Sequence, residues 1–378
     1  MPNYQPRQVK KQQFFNQFIE NCLHPHAKKF DKEQNIPRDF LYVGSKWFFG
    51  RLHSQTIWRA TMDELTIGIM YESFAKELCS LANILTVLGM VSKSLLQFGS
   101  KAQKQIWLPR IASGETLAAL ALTEPNIGSD LEHVETQLLD AGDEFILNGS
   151  KKYITLGQIA DLFLVLANCQ GQPTAVLVEK GTPGLIISPM SNFLGLRSNM
   201  LAEIFFDNCR IPKTNLLGSI GVGFTYVIQT ALDEGRYTTA YGCVGLGQAC
   251  LDAALGYTQE RKQFNRRLDE HQLIQKMITE MVVQVKAARE LCFYAGELRQ
   301  KKNPAYIAET LIAKYAASKM VVFVSNHALQ LFGAAGFDET YPVERYYRDA
   351  KVMRSLKELR KCTRYSFRNF ASINRGYY

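Results

Sequence analysis

No two cysteines in this chain are spaced Cys-x-x-Cys: Cys22, Cys79, Cys169, Cys209, Cys243, Cys250, Cys292 and Cys362 are scattered, which argues against a zinc ribbon or a thioredoxin-type motif. A reduced, cytosolic setting is expected. The chain also lacks a run of 18 or more uncharged apolar residues, and the uncharged stretch from Leu78 to Ser92 carries Ser, Asn, Thr and Gly, so no membrane span is expected. Behind Arg7, Lys10 and Lys11 there is no apolar segment of the kind a secretory signal needs. With 12 Pro and 26 Gly in 378 residues, the composition excludes collagen-like and low-complexity classes. The P-loop, His-Glu-x-x-His, Gly-x-Ser-x-Gly and Gly-x-Gly-x-x-Gly patterns are all missing. Gly245-Leu-Gly247 lies inside a helical stretch, where close helix packing explains it better than a dinucleotide turn. The six histidines show no i, i+4 pairing, so no metal site is expected.

What is there is a folded, 47% apolar chain with a net charge of +9, long enough for two or three domains. From Lys10 to about Ser113 the apolar residues recur every three or four positions, as in Leu81, Ile84, Leu85 and Leu88, which predicts helices. From Leu117 the texture changes to short runs such as Leu162-Phe-Leu-Val-Leu166 and Ala175-Val-Leu-Val178, separated by turn residues, among them Asp140-Ala-Gly-Asp143 and Asn148-Gly149. Such runs read as β-strands. Beyond Gly223 the helical period returns, most clearly in Leu251, Ala254, Tyr257 and in Leu273, Met277, Met281, Val285. The expected division is helical over 1–115, β over 116–222 and helical over 223–378.

The densest polar, turn-rich string, Thr123-Glu-Pro-Asn-Ile-Gly-Ser-Asp130, follows a strand, a good place to hold a polar ring edge or a phosphate. It is followed by Leu147-Asn-Gly-Ser-Lys-Lys-Tyr-Ile-Thr-Leu-Gly157, Gly195-Leu-Arg-Ser198, Arg261-Lys-Gln-Phe264, Gln330-Leu-Phe-Gly-Ala-Ala-Gly336 and Tyr347-Arg-Asp-Ala350. In this order, from about residue 20 to 352, the strings resemble the acyl-CoA dehydrogenase superfamily of flavoproteins. The resemblance implies an α+β multidomain fold with an N-terminal helical domain, a central β-barrel and a C-terminal four-helix bundle, assembled as a homotetramer or dimer.

It also implies FAD as cofactor, with Thr123 and Thr155 at the flavin ring, Tyr153 packed against it and Ser129 at the pyrophosphate. From a neighbouring subunit, Arg261 would neutralise the pyrophosphate beside Gln263 and Phe264, while Gln330, Gly333, Ala334 and Gln272 would hold the adenosine end. The reaction implied is loss of a proton to a carboxylate and of a hydride to the flavin, passed on to an electron acceptor protein or oxygen. In most relatives the carboxylate belongs to a Glu-Gly-Thr string, but in register that Glu falls on Lys357, with Glu358 one place later. Another branch, typified by isovaleryl-CoA dehydrogenase, carries the base before the Arg of Asp-Leu-Glu-Arg. Here Asp233-Glu-Gly-Arg236 offers Glu234, one position off that register, and Glu234 is the expected base with Glu358 the alternative.

The string from Gly235 to Phe264 resembles the branch acting on acyl carrier proteins, above all the prolyl-carrier-protein dehydrogenases and oxidases of natural-product pathways. An acidic carrier protein is therefore the expected partner, with a small free acyl-CoA as the alternative substrate. Between Arg348 and Arg375 nine basic residues oppose Asp349 and Glu358, a net +7 that suits an acidic partner. Nucleic-acid binding without catalysis is the remote alternative, but no reader motif organises these charges.

Overall fold

The computed structural model describes residues 4–42 and 62–356; Lys357, Glu358 and the basic residues after them lie outside the described residues. The N-terminal helical domain contains α1 (Pro6–Phe18), α2 (His24–Glu33), α3 (Glu64–Glu77), α4 (Cys79–Phe98) and α5 (Lys101–Ala112). Asp63 caps α3 by accepting from the Thr66 amide at 2.8 Å, and Ser100 and Gln103 form a reciprocal capping box on α5. Helix α4 is long and apolar enough to cross a membrane, but 78% of its most apolar window is buried inside the protein, as for a core helix.

The middle domain is one seven-stranded mixed sheet of β1 (Ala118–Ala121), β2 (Gln137–Asp140), β3 (Glu144–Ile154), β4 (Leu162–Cys169), β5 (Gln172–Glu179), β6 (Leu185–Pro189) and β7 (Ala202–Pro212). Strands β1 and β2 share one edge of β4, both parallel to it, while β5 pairs antiparallel along its other edge. The apolar runs in β4 and β5 are continuous because each face meets a different core: Phe163, Val165, Val176 and Val178 join one cluster, Leu162, Leu164, Ala175 and Leu177 the other.

Asn148-Gly149, expected as a turn, lies inside β3. The pairing of β3 with β7 shifts register between Leu147 and Gly149, so the dipeptide forms a bulge rather than a reversal. A second shift falls between Lys151 and Ile154, where the ladder resumes opposite Ala202, and Tyr153 (φ +61°) and Leu156 (φ +64°) adopt left-handed backbone on either side of Ile154.

A turn of π-helix, Gly223–Ile228, leads into the 32-residue helix α6 (Gln229–Glu260). After the hairpin of β8 (Lys262–Gln263) and β9 (Arg266–Arg267) come α7 (Gln272–Gln300), α8 (Tyr306–Phe332) and α9 (Val343–Ser355). Along α7 the expected stripe holds at Met281 and Val285, but Leu273 is 77% exposed, because none of the described elements covers the first turn of the helix. Arg348 and Asp349 fasten α9 to the other domains. Arg348 pairs with Asp31 on α2 at 2.8 Å, and Asp349 accepts from the Leu196 amide at 2.6 Å. Gly195 permits that approach, since a Cβ there would lie 2.5 Å from the Arg348 carbonyl.

Candidate active site

The expected site residues fall into two sets on different domains. The first surrounds the irregular end of β3. Thr123 stands two residues beyond β1, and its carbonyl accepts from the Lys152 amide at 2.8 Å, which ties the Thr123 loop to the segment carrying Tyr153 and Thr155. Tyr153 is half-exposed, edge-on to Phe193 with ring centroids 6.1 Å apart. Thr155 is partly buried, and its hydroxyl oxygen accepts from the Asn83 amide nitrogen on α4 at 3.5 Å. Ser129 sits in the exposed turn between β1 and β2.

Beneath this surface lies a charged pair that composition and spacing did not single out. Lys151, whose side chain is 0% exposed, donates to the Glu124 carboxylate at 2.7 Å and to the Leu122 carbonyl at 3.1 Å. Glu124 also accepts from the Glu135 amide at 2.6 Å, the Thr136 amide at 2.9 Å and the Thr136 hydroxyl. Burial pulls the Lys151 ammonium down to about 8 against the raising influence of Glu124. Burial pushes the Glu124 carboxyl up, but the Lys151 charge and the hydrogen bonds outweigh it and hold Glu124 below the usual carboxylate range. The signal was in the sequence: Glu124 stands one place after Thr123 and Lys151 two places before Tyr153.

The second set belongs to the helical bundle. Arg261, Gln263, Gln330, Gly333 and Ala334 line one cavity of about 820 Å³ at the C-terminal ends of α6 and α8. Its wall includes Tyr257 and Phe332, stacked with centroids 4.0 Å apart. Gly333 has φ +56°, and a Cβ built on it meets nothing within 4 Å. Phe264 stands at the tip of the β8–β9 hairpin, 89% exposed, and Gln272 is the exposed first residue of α7. None of the first set lines this cavity.

Glu234 lies within α6 and is 1% exposed, on the face it shares with Tyr237, Thr238 and Tyr241. Its carboxylate is 3.4 Å from the Arg299 guanidinium, which also meets Asp233 at 2.7 Å and Glu64 at 3.5 Å and lies between the rings of Tyr237 and Tyr306. Burial pushes the Asp233 carboxyl up despite Arg299. Thr238, one turn on from Glu234, bonds Thr86 of α4 at 3.0 Å, three residues from Asn83. Arg299, Asn83 and Thr86 carry no motif, and only the packing of α4, α6 and α7 brings them to the site.

Known proteins resemble the chain in sequence and in fold. The acyl-CoA dehydrogenase family models match the chain in three consecutive parts, the N-terminal domain over residues 6–115, the middle domain over 119–209 and the C-terminal domain over 221–357. The mitochondrial short-chain specific acyl-CoA dehydrogenase of Rattus norvegicus is 34% identical over 342 residues, 89% of this chain and 82% of its own. Among solved structures, butyryl-CoA dehydrogenase from Megasphaera elsdenii superposes with a TM-score of 0.90 at 29% identity, covering 96% of this chain and 97% of its own. A prolyl acyl carrier protein oxidase superposes with a TM-score of 0.90 at 26% identity, covering 97% and 99%.

Proposed function

The chain belongs to the acyl-CoA dehydrogenase family, and from that premise we propose that it oxidises a small free acyl-CoA to its α,β-unsaturated thioester, using FAD. It is an oxidoreductase of acyl thioesters. The observation that carries the choice of substrate is the 34% identity to a short-chain specific acyl-CoA dehydrogenase over 89% of the chain, together with the fit to a butyryl-CoA dehydrogenase. This revises the expectation of a carrier-bound substrate. The fit to a prolyl acyl carrier protein oxidase, with Lys357 where most relatives have their base, supports prolyl-carrier protein as the second reading.

The residues present suit FAD. The Arg261 cation, the Gln263 and Gln330 amides and the unobstructed Gly333 backbone, beside stacked aromatic faces, make up the cavity assigned to the pyrophosphate and adenosine end. Thr123 and Thr155 offer hydroxyls to the ring, Tyr153 an aromatic face and Ser129 a donor in an exposed turn. When bound, FAD supplies the acceptor for the hydride that leaves the substrate's β-carbon.

The proton from the α-carbon is assigned to Glu234. Its carboxylate is paired with Arg299, 3.4 Å away, inside the helical bundle. Because the two cofactor sets sit on different domains and only one lines the cavity, the proposed assembly is a homotetramer or dimer with each FAD shared between subunits. The reduced cofactor is expected to pass electrons to an acceptor protein or to oxygen.

The test is anaerobic mixing of the FAD-loaded protein with butyryl-CoA or with prolyl-loaded carrier protein, following the 450 nm band and substrate mass. Bleaching with formation of crotonyl-CoA supports the proposal. Bleaching by the carrier-bound substrate alone moves the assignment to the second reading, and a protein that takes up no flavin overturns both. Glu234→Gln is expected to keep FAD and lose bleaching at least 100-fold; retained bleaching removes Glu234 from the mechanism.

A further inference from the structure

The segment that carries Tyr153 and Thr155 lies at the irregular end of its ladder, which after Lys151 resumes only at Ile154 opposite Ala202. After Lys151 the pairing of β3 with β7 slips, Tyr153 and Leu156 turn left-handed, and neither Tyr153 nor Thr155 has a register partner in β7. The Thr123 loop is equally without a strand partner, two residues past β1. Something other than sheet pairing must set one segment against the other.

Lys151 does so from below. Its ammonium reaches both sides of Thr123 at once, the carbonyl of Leu122 at 3.1 Å and the carboxylate of Glu124 at 2.7 Å. The next residue, Lys152, adds the amide bond to Thr123 itself. Glu124 extends the clasp to Glu135 and Thr136 at the start of β2, and a Cβ on Gly149 would lie 2.8 Å from Thr136, so the bulge in β3 abuts the same point.

An ion pair is an inefficient way to fill this space. Desolvating two charges cancels most of their attraction, so apolar residues of similar volume stabilise a core as well or better. What an apolar residue cannot do is hold a carbonyl and a carboxylate in fixed directions from inside the protein. We propose that Lys151, with Glu124, is a positioning residue of the flavin-ring site, fixing the Thr123 hydroxyl relative to Tyr153 and Thr155. This rests on the assignment of those three residues to the flavin.

The experiment uses the full-length protein, stripped of FAD and reconstituted, as wild type, Lys151→Arg, Lys151→Met and the double variant Glu124→Gln/Lys151→Met. The double variant leaves no buried unpaired charge and is expected to melt near the wild type even where Lys151→Met alone does not fold. The expected result is FAD binding at least tenfold weaker in the double variant, with a shifted visible flavin band and midpoint potential, and recovery of more than half of that loss in Lys151→Arg. A double variant with wild-type affinity, band and potential overturns the proposal. So does one that differs only in melting temperature, since a purely structural pair would do that. A wild type that binds no FAD fails the functional assignment instead, and the two failures are distinct.

Discussion

Asp349 shows what a motif residue does once its surroundings are known. The Arg-Asp-Ala string was legible as part of a family pattern, but the sequence held no sign that Asp349 would be fully buried, facing the Leu196 amide. Burial pushes its carboxyl up to about 6. A carboxyl whose value is higher in the folded protein than in the unfolded one holds its proton more tightly when folded. Its contribution to stability is therefore largest below pH 4 and falls as pH rises to about 6, beyond which the loss is constant. Asp349→Asn keeps an acceptor for Leu196 and removes the titration. The expected outcome, from urea unfolding at several pH values, is a variant more stable than wild type by about 3 kcal/mol at pH 7, with the gap shrinking toward zero at pH 4. An unchanging gap would mean that folding leaves the Asp349 carboxyl unshifted. Arg299 and Asn83 were unreadable for a related reason. Each matters through partners distant in sequence, Arg299 through Glu234 sixty-five positions away and Asn83 through Thr155 seventy-two away, and no local pattern records such meetings.

Among elements, the alternation of textures was legible because burial imposes it. A strand between two cores reads as an unbroken apolar run, and β4 and β5 do so. Asn148-Gly149 misled because the dipeptide favours left-handed backbone, and a bulge uses that freedom as well as a turn does. The β8–β9 hairpin is the converse, a true two-residue turn without glycine. Phe264 (φ +52°) and Asn265 (φ +59°) both take the positive φ that such a turn requires. Asn is among the few side chains that tolerate it, and a β-branched residue is not. Asn265→Gly is expected to leave thermal unfolding nearly unchanged, while Asn265→Val costs about 1–2 kcal/mol of local stability. Because the hairpin carries Gln263 and adjoins Arg261, Asn265→Val should also weaken FAD retention, as read from the 450 to 280 nm absorbance ratio after gel filtration. Equal retention by the two variants would separate the hairpin from the cofactor.

For the whole molecule, the exposed apolar residues carry information that the single chain leaves unused. Phe264 at the hairpin tip, Leu273 on the first turn of α7, Val283 further along that helix and Phe337 after α8 are all at least half exposed. Large apolar side chains left exposed on one domain are what a subunit interface of the proposed assembly would cover. Leu273 reads as core by periodicity, and in the proposed assembly a helix face covered by another subunit would have the same period as one buried within a subunit, so the sequence could show the stripe but not its partner. The shared-FAD assembly makes a quantitative demand here. If ring and adenosine sets reach one FAD only across an interface, then cofactor affinity and association are linked, and losing one loses the other. Leu273→Asp with Val283→Asp places charges on that surface and leaves the buried core of α7, Met281 and Val285, intact. The double variant is expected to sediment as a smaller species with unchanged far-ultraviolet circular dichroism and to release FAD on dilution at least tenfold more readily than wild type. A dissociated variant that keeps FAD with wild-type affinity would mean that a single chain completes the cofactor site.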